Sequence, residues 1–329
     1  MEDLLLVIVI VVALGFDFTN GFHDTANAVA TSVSTRALSP RMAVLIAAGA
    51  NLAGAFVTTA VAKTVGKGII DSNLATPKTV FAALIGAISW NLFTWRLGLP
   101  SSSSHALIGG LVGAALAQSG TAGVEWHGLV HNVIIPALIA PALAFAAGYL
   151  VLLALFWAFK WVQPGAGHRG FRLGQLGSGT FMAFTHGAND AQKTMGVIAL
   201  ALFSAGKIHT FYIPTWVILL AVLAIASGTY VGGWRIMRTL GQRLYKMEPP
   251  AGFASQSTAG VIIYLATRLG YPLSTTHVIS GAVLGAGATK RFSAVRWGIA
   301  GNIVFAWLLT LPAAALVAAV MYWPIEAIF

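Results

Sequence analysis

The chain has 329 residues, of which 57% are hydrophobic and only 9% are charged, and its mean hydropathy is +0.82. Soluble domains carry about 25% charged residues, so this composition excludes an ordinary soluble protein and predicts an integral membrane protein. The net charge of +10 is explained by Lys and Arg in cytoplasmic loops, so we expect the lipid bilayer as a partner and no nucleic acid. The absence of Cys excludes disulfides, thiolate metal sites and cysteine nucleophiles.

Apolar runs follow one another along the chain and approach or exceed the roughly 20 residues that cross a bilayer. They cover residues 4–16, 42–61, 134–159, 216–231 and 297–320. The first run follows Glu2 and Asp3 instead of a basic segment, so we expect it to remain as a span and not to be a cleaved signal peptide. The sequence thus predicts a multi-pass protein of the plasma membrane, the inner membrane of a bacterium.

One segment rich in Gly, Pro and basic residues divides the chain, at residues 160–174. We therefore expect one transmembrane repeat over residues 1–159, a cytoplasmic linker over 160–174 and a second transmembrane repeat over 175–329. Basic side chains near residues 36–41, 160–172 and 235–246 place those segments inside, and the acidic N-terminus then lies outside.

Two polar patterns occur twice, once in each half. FTNGFHDTAN begins at Phe18 and FTHGANDAQK at Phe184, and Phe, Thr, Gly and Asp coincide at an offset of 166 residues. RLGLPSSSSHALIGG begins at Arg96 and RLGYPLSTTHVISGA at Arg268, at an offset of 172 residues. A duplicated polar pattern inside apolar sequence is typical of a secondary transporter that binds its substrate between two repeats.

The charge pattern also predicts how the repeats lie in the membrane. It requires residues 80–118 to enter and leave on the outer side and residues 253–289 to enter and leave on the inner side. We therefore predict an all-α integral membrane protein with two inverted-topology repeats, broken helices and two re-entrant hairpins. Gly and Pro inside apolar runs predict helix breaks that face a cavity, and we expect unwound backbone around the duplicated Asp motifs.

The tips of the two hairpins carry hydroxyl groups directly after a proline. First-turn N–H groups and the positive end of a helix dipole form an anion site, and the hydroxyls add donors. We predict a tetrahedral oxyanion held by amides and hydroxyls from both repeats, without a permanent arginine clamp. The candidate residues are Ser102, Ser103, Ser104, Ser274, Thr275 and Thr276.

The duplicated aspartates predict a second ligand. A carboxylate inside the membrane costs at least about 2.5 kcal/mol and would repel an anion, so a cation between Asp24 and Asp190 is the simplest explanation. Asn27 and Asn189 add oxygen donors that suit sodium, and the same carboxylates could instead carry protons. Sodium at Asp24 and Asp190 and protons on them both stay open, and we expect no other cofactor.

Further polar residues are weighed against structural roles. His105 and His277 either brace the hairpins or contact the substrate, and His186 stands between the same alternatives. Asn91 and Gln256 either reach the site or are satisfied by a neighbouring helix. An intramembrane hydrolase would need one nucleophile and one base in an asymmetric site, whereas these motifs are mirrored, so we do not expect an enzyme.

The motifs resemble those of the inorganic phosphate transporter (PiT) family in its bacterial form. The resemblance rests on FTNGFHDTANAVATSVSTRALSP, FTHGANDAQKTMGVIALAL, SGTYVGGWRIMRTLG and the two PxSxxH elements, and it extends over nearly the whole chain. It implies import of inorganic phosphate, free or as a metal–phosphate complex, by symport with sodium or protons and alternating access, and it implies a homodimer. It carries the family's functional positions onto the aspartates, asparagines and hairpin hydroxyls given above and onto His186.

The chain departs from the family pattern at a few positions. Gln256 stands where many members have Glu, and Asn51 is neutral where animal members have an acidic residue. These differences bear on the coupling ion more than on the substrate. By chemistry alone a sulfate permease of the same fold is the alternative, because hydroxyls and helix ends bind any tetrahedral oxyanion.

Overall fold

The computed structural model describes residues 2–329, and over these residues the protein is helical and suited to a membrane. The helices, in chain order, are α1 Glu2–Ser34, α2 Pro40–Gly54, α3 Ala60–Lys67, α4 Pro77–Leu97, α5 Ser103–Ser119, α6 Trp126–Leu129, α7 Ile135–Ala158, α8 Pro164–Ser204, α9 Thr215–Val231, α10 Trp234–Arg238, α11 Pro249–Arg268, α12 Thr275–Lys290 and α13 Trp297–Ile328. A π-helical turn over Val130–Ile134 joins α6 to α7.

Five helical segments are long and apolar enough to cross a membrane. They are Asp3–Ser34, Pro77–Leu97, Ser103–Gly123, Trp126–Ala158 and Trp297–Ile328. A sixth candidate is the pair α9 and α10, which bends by 57° at Gly232 and Gly233. The all-helical, multi-pass membrane class predicted from composition is confirmed.

The helices that carry the duplicated Asp motifs are not unwound, contrary to the sequence-based expectation. Asp24 lies inside α1, and Asp190 lies inside the 41-residue helix α8. The motif glycines serve close packing instead. A Cβ at Gly21 would collide with the backbone of Ile225, and a Cβ at Gly187 would collide with the backbone of Asn51. Glycine in these motifs therefore lets two helices touch, without breaking the helix that carries it.

Helix breaks occur instead after each motif helix. The apolar run predicted over residues 42–61 is divided between α2, which ends at Gly54, and α3, which begins at Ala60. The bend between α9 and α10 follows α8 in the same way. The predicted linker over residues 160–174 is itself largely helical, because α8 begins at Pro164.

Two helical hairpins carry the Ser- and Thr-rich motifs. Each first arm ends at a glycine in the left-handed region, Gly98 (φ 67°) in one hairpin and Gly270 (φ 83°) in the other. That conformation is accessible to glycine at little cost, which explains why the motif repeats it. The bases are closed by backbone hydrogen bonds: Asp71 N–H donates to Gly123 O at 3.0 Å, and Arg296 N–H donates to Leu244 O at 3.1 Å. The chain thus returns to the side from which each hairpin starts.

The two halves pack crosswise. α1 packs against α9 and α8 against α2, while the second arms of the hairpins exchange partners: α5 lies along α13 and α12 lies along α7. Small side chains and glycines form these contacts, as is usual between membrane helices. The exchange brings the tips of both hairpins together beside α1 and α8.

Candidate ion-binding site

The two hairpin tips meet inside the protein. Ser104 Oγ, in the first turn of α5, donates to the backbone oxygen of Leu273 in the other tip at 3.2 Å. Ser102 and Ser274 are the N-cap residues of α5 and α12, and their hydroxyls accept from the amides three residues later. Capping satisfies one of the four amides at each helix start that have no partner within the helix.

All six predicted hydroxyl residues are buried, none more than 3% exposed. Ser103 Oγ donates to Asp24 Oδ1 at 3.3 Å, and Thr275 Oγ1 donates to Asp190 Oδ2 at 3.2 Å. Each hairpin therefore meets the aspartate of its own repeat, and the two contacts are related by the offsets of the duplicated motifs.

Asp24 has two direct partners, Ser103 in the tip of hairpin one and His23 beside it on α1. His23 Nδ1 lies 2.6 Å from Asp24 Oδ1. The other ring nitrogen of His23 lies 3.1 Å from Thr94 Oγ1 and 3.3 Å from Ser101 Oγ. This chain of contacts fixes the imidazole between the carboxylate and the base of the hairpin tip.

Asp190 has a different set of partners. The Lys193 ammonium pairs with Asp190 Oδ1, and His186 Nε2 lies 3.2 Å from Asp190 Oδ2. His186 Nδ1 lies 3.1 Å from Asn51 Oδ1, which ties the imidazole to α2. Asp190 thus has a permanent cation beside it, whereas Asp24 has a histidine.

The predicted asparagines use their amide N–H groups as donors. Asn27 Nδ2 crosses to hairpin two and donates to Thr276 Oγ1 at 2.8 Å and to Thr275 Oγ1 at 3.3 Å. Asn189 Nδ2 donates to Thr267 Oγ1 at 2.8 Å and to Tyr271 O at 3.1 Å. Both residues therefore hold hairpin two, and the oxygen of Asn189 has no hydrogen-bond partner among residues 2–329.

The two aspartates come close enough to share a cation. One ligand atom each from Asp24, His186 and Asp190 lies within 4.8 Å of the others, and all three side chains are buried. Carboxylate oxygens and an imidazole nitrogen in such a group can surround a cation, and carboxylates in particular suit hard cations such as sodium. The structure thus brings Asp24 and Asp190 together, and a cation held between them stays a prediction.

The remaining predicted residues lie around this centre in different ways. His105 and His277 pack edge to face with ring centroids 4.7 Å apart, and His277 stacks on Trp307 at 4.1 Å. Both rings line a largely apolar cavity of about 570 Å³ between α7, α12 and α13. Gln256 donates to Ser32 Oγ at 2.7 Å and accepts from Ser178 Oγ at 3.0 Å, so it connects α11 to α1 and α8.

Asn91 is fully buried on α4, and neither its amide nitrogen nor its oxygen has a partner in the part of the chain that the structure describes. Asn91 and Gln256 thus differ. Gln256 bonds to neighbouring helices, which is one of the two roles expected for it, whereas the polar side-chain atoms of Asn91 have no partner among the described residues. Neither side chain forms a hydrogen bond to the aspartates or to the tip hydroxyls within residues 2–329.

Sequence reasoning missed two charged residues. Lys193 is 1% exposed and contacts Asp190, Ser104 and Leu273 O. The sequence could have predicted this residue, because a lysine three residues after a motif aspartate in apolar sequence needs a buried partner for its charge. Asp17 is fully buried on α1, beside Thr194 and Asn20, and it lies seven residues before Asp24 without a counterpart at Ala183.

Comparison with known proteins gives the same picture over the full chain. The profile of the family described as "Phosphate transporter family" matches residues 20–318. A probable low-affinity inorganic phosphate transporter of Rhizobium meliloti is 50% identical over 321 residues, which are 97% of this chain and 96% of the relative. A protein of the same description from Bacillus subtilis is 43% identical over 330 residues, with coverage of 99% and 98%.

The corresponding Mycobacterium bovis protein is 54% identical over 324 residues, which are 98% of this chain and 78% of the relative. A solved structure described as "The sodium-dependent phosphate transporter" superposes with a TM-score of 0.87 at 26% identity, over 99% of this chain and all of that chain. The resemblance seen in the motifs is confirmed, and so is the expectation of a transporter and not an enzyme. The chain belongs to the phosphate transporter family.

Proposed function

We propose that this chain imports inorganic phosphate across the plasma membrane by symport with a cation. The observation that carries the proposal is the meeting of two capped helix starts, α5 and α12, whose hydroxyls lie buried against each other's tips and beside Asp24 and Asp190. Helix N-termini with added hydroxyl donors bind tetrahedral oxyanions. Relatives of 43–54% identity are described as probable inorganic phosphate transporters, which favours phosphate over the sulfate alternative.

The arrangement of the hairpins supports inverted repeats. In the proposed topology three segments cross the membrane between the hairpins: α6 with α7 and α9 with α10, which are apolar enough to span it, and α8, which is long enough at 41 residues. The two hairpins then start from opposite sides of the membrane. Their tips nevertheless touch, at Ser104 and Leu273. Hairpins that start from opposite sides and meet must each enter only part of the bilayer. This geometry supports two re-entrant hairpins with the binding site near the midplane.

Buried charge supports cation coupling. Asp24 and Asp190 are both buried, and Lys193 is the only buried ammonium among the described residues. Adding a phosphate anion increases the excess of negative charge in a medium of low dielectric constant, where such an excess is costly. A cation that enters with the anion relieves it, which makes binding of the two mutually dependent.

Both sodium and protons stay in the proposal as the coupled ion. The sodium dependence of the structural relative favours sodium. The contact between His23 Nδ1 and Asp24 Oδ1 places two proton acceptors side by side inside the membrane, which keeps protons as the alternative. We propose a homodimer as the assembled state on the family resemblance alone.

The burial of every tip hydroxyl corresponds to an occluded state. Alternating access then requires the hairpins to separate from α1 and α8 on one side at a time. The tips also bond to each other at Ser104 and Leu273, and crosswise through Asn27 to Thr276 and Lys193 to Ser104, so opening one hairpin must break bonds to the other half.

Uptake into proteoliposomes tests the proposal. Labelled phosphate should accumulate when a sodium or proton gradient is imposed, and a tenfold excess of sulfate should leave the initial rate nearly unchanged. Replacing sodium by choline at several pH values identifies the coupled ion. Preferential accumulation of sulfate, or no accumulation of phosphate under any gradient, would overturn the assignment.

A further inference from the structure

The ammonium of Lys193 lies between the two repeats and bonds to three oxygen atoms of different kinds. It contacts the carboxylate of Asp190, the hydroxyl of Ser104 in hairpin one and the backbone oxygen of Leu273 in hairpin two, the last at 2.9 Å. The side chain is 1% exposed. An ammonium has three donors, and all three acceptors are supplied here.

A carboxylate, a hydroxyl and a backbone carbonyl are also the ligands of a sodium-type site. Hard cations take oxygen ligands of these classes. In transporters, carbonyls of non-helical backbone coordinate the coupled cation, and Leu273 lies in the non-helical segment between α11 and α12. The Lys193 ammonium therefore occupies the place where a metal cation at Asp190 would find its ligands.

The internal duplication sharpens this point. The offset of 166 residues that aligns Asp24 with Asp190 aligns Asn27 with Lys193, and the offset of 172 aligns Ser104 with Thr276. Asn27 donates to Thr276 at 2.8 Å, and Lys193 donates to Ser104. Each half thus makes an equivalent bond to the hairpin tip of the other half. A neutral amide makes it in repeat one, and an ammonium makes it in repeat two.

We propose that Lys193 is a tethered cation that fills the repeat-two cation position, so that a co-transported cation has its place only on the Asp24 side. Lysine suits this role because its ammonium is a compact point charge, and its three bonds hold it in place here. A second cation at Asp190 would meet that charge at contact distance in a buried site, where repulsion is strong. The proposal rests on the proposed function. It implies that the Asp190 side of the duplicated site carries a built-in positive charge and the Asp24 side does not.

Two variants at this position separate a tethered cation from a structural lysine. Lys193→Met keeps the length of the side chain and removes the charge, and Lys193→Asn reproduces the residue of repeat one. The readout is the Kd of purified protein for inorganic phosphate by calorimetry, in sodium buffer and in choline buffer. Lys78→Asn is the matched control, since Lys78 pairs with Glu326 at the surface.

We expect Lys193→Met to weaken phosphate binding at least tenfold in both buffers. Lys193→Asn should bind at least tenfold more weakly in choline and return to within threefold of the wild type in sodium, because a sodium ion can enter the vacated position. Lys78→Asn should match the wild type in both buffers. Wild-type affinity of Lys193→Met, or a Lys193→Asn variant that sodium does not restore, would overturn the proposal.

A measurement on the unaltered protein covers the case in which these variants do not fold. Thallium(I), a monovalent cation with a strong anomalous signal, is soaked into crystals of the wild-type protein. We expect no anomalous peak between Asp190, Ser104 and Leu273, and a peak there would overturn the proposal. This result does not depend on the substrate. If the protein carried sulfate, the proposed function would be wrong, and the thallium experiment would still decide the role of Lys193.

Discussion

The imidazole rings of His105 and His277 meet edge to face where the two hairpin tips touch, with centroids 4.7 Å apart. Neither nitrogen of the His277 ring has a hydrogen-bond partner within residues 2–329, and the ring stacks on Trp307. Since packing holds this ring, we expect His277→Phe to transport phosphate with a KM within about threefold of the wild type. Initial rates of phosphate uptake into proteoliposomes, taken over a range of phosphate concentrations, give this KM. A KM raised more than tenfold, with kcat retained, would show that the imidazole contacts the substrate.

The hydroxyls of Ser103 and Thr275 occupy equivalent positions in the two tips and donate to equivalent aspartates. Loss of one hydroxyl leaves a buried partner unsatisfied at a cost of about 1–3 kcal/mol. We therefore expect Ser103→Ala and Thr275→Ala each to weaken phosphate binding by about 5- to 150-fold, measured by calorimetry. Ser178→Ala is the control, because that hydroxyl bonds to Gln256 away from the tips. Normal affinity in either tip variant would remove that hairpin from the anion site.

Neutralising the two duplicated aspartates should have unequal effects on stability. Asp190→Asn leaves the Lys193 ammonium buried without its counter-ion, and breaking a buried pair costs about 3–5 kcal/mol. Asp24→Asn takes the carboxylate from beside a histidine and leaves no lysine or arginine without its counter-ion. We expect both variants to lose gradient-driven uptake, and thermal melting in detergent should show a much larger loss of Tm for Asp190→Asn. Equal losses of Tm would mean that Asp24 also faces a fixed positive charge.

Asp17 has no hydrogen-bond partner among the described residues, so replacing it tests what a buried carboxylate costs in stability. Its side chain is fully buried, and neither carboxylate oxygen forms a hydrogen bond to any residue of the described chain. An unpartnered buried polar group costs about 1–3 kcal/mol, so Asp17→Asn should raise the Tm of the purified protein by a few degrees. The amide would gain donors toward Asn20 and Thr194. A lower Tm, with a loss that depends on sodium, would instead show that the carboxylate holds a cation.

Single cysteines test the membrane orientation, and the chain has no native Cys to remove. Thr121 and Gln163 are both exposed, after hairpin one and before α8 respectively. In right-side-out membranes we expect an impermeant thiol reagent to label Thr121→Cys and to leave Gln163→Cys unlabelled until the membrane is permeabilised. Labelling of both from outside would contradict the inverted-repeat topology.

The sequence was most informative where residues repeat. The paired motifs identified the hairpins and the aspartates, because duplicated polar residues in apolar sequence have few structural explanations. The same glycines misled the helix assignment: in the FTNGFHD pattern glycine predicted unwinding, whereas Gly21 makes room for Ile225 on a neighbouring helix. That contact depends on tertiary packing between distant segments. Lys193 was not predicted because it stands at one of the positions where the two motifs differ, opposite Asn27.

The exchange of α5 and α12 between halves also bears on how the protein is assembled during synthesis. Hairpin one completes its packing only against α13, the last helix of the chain, which covers Trp297–Ile328. Until α13 leaves the ribosome, α5 and its serine-rich tip lack that neighbour in the membrane. Each half is therefore an incomplete folding unit, and the final 32-residue helix closes the structure of the first half as well as the second.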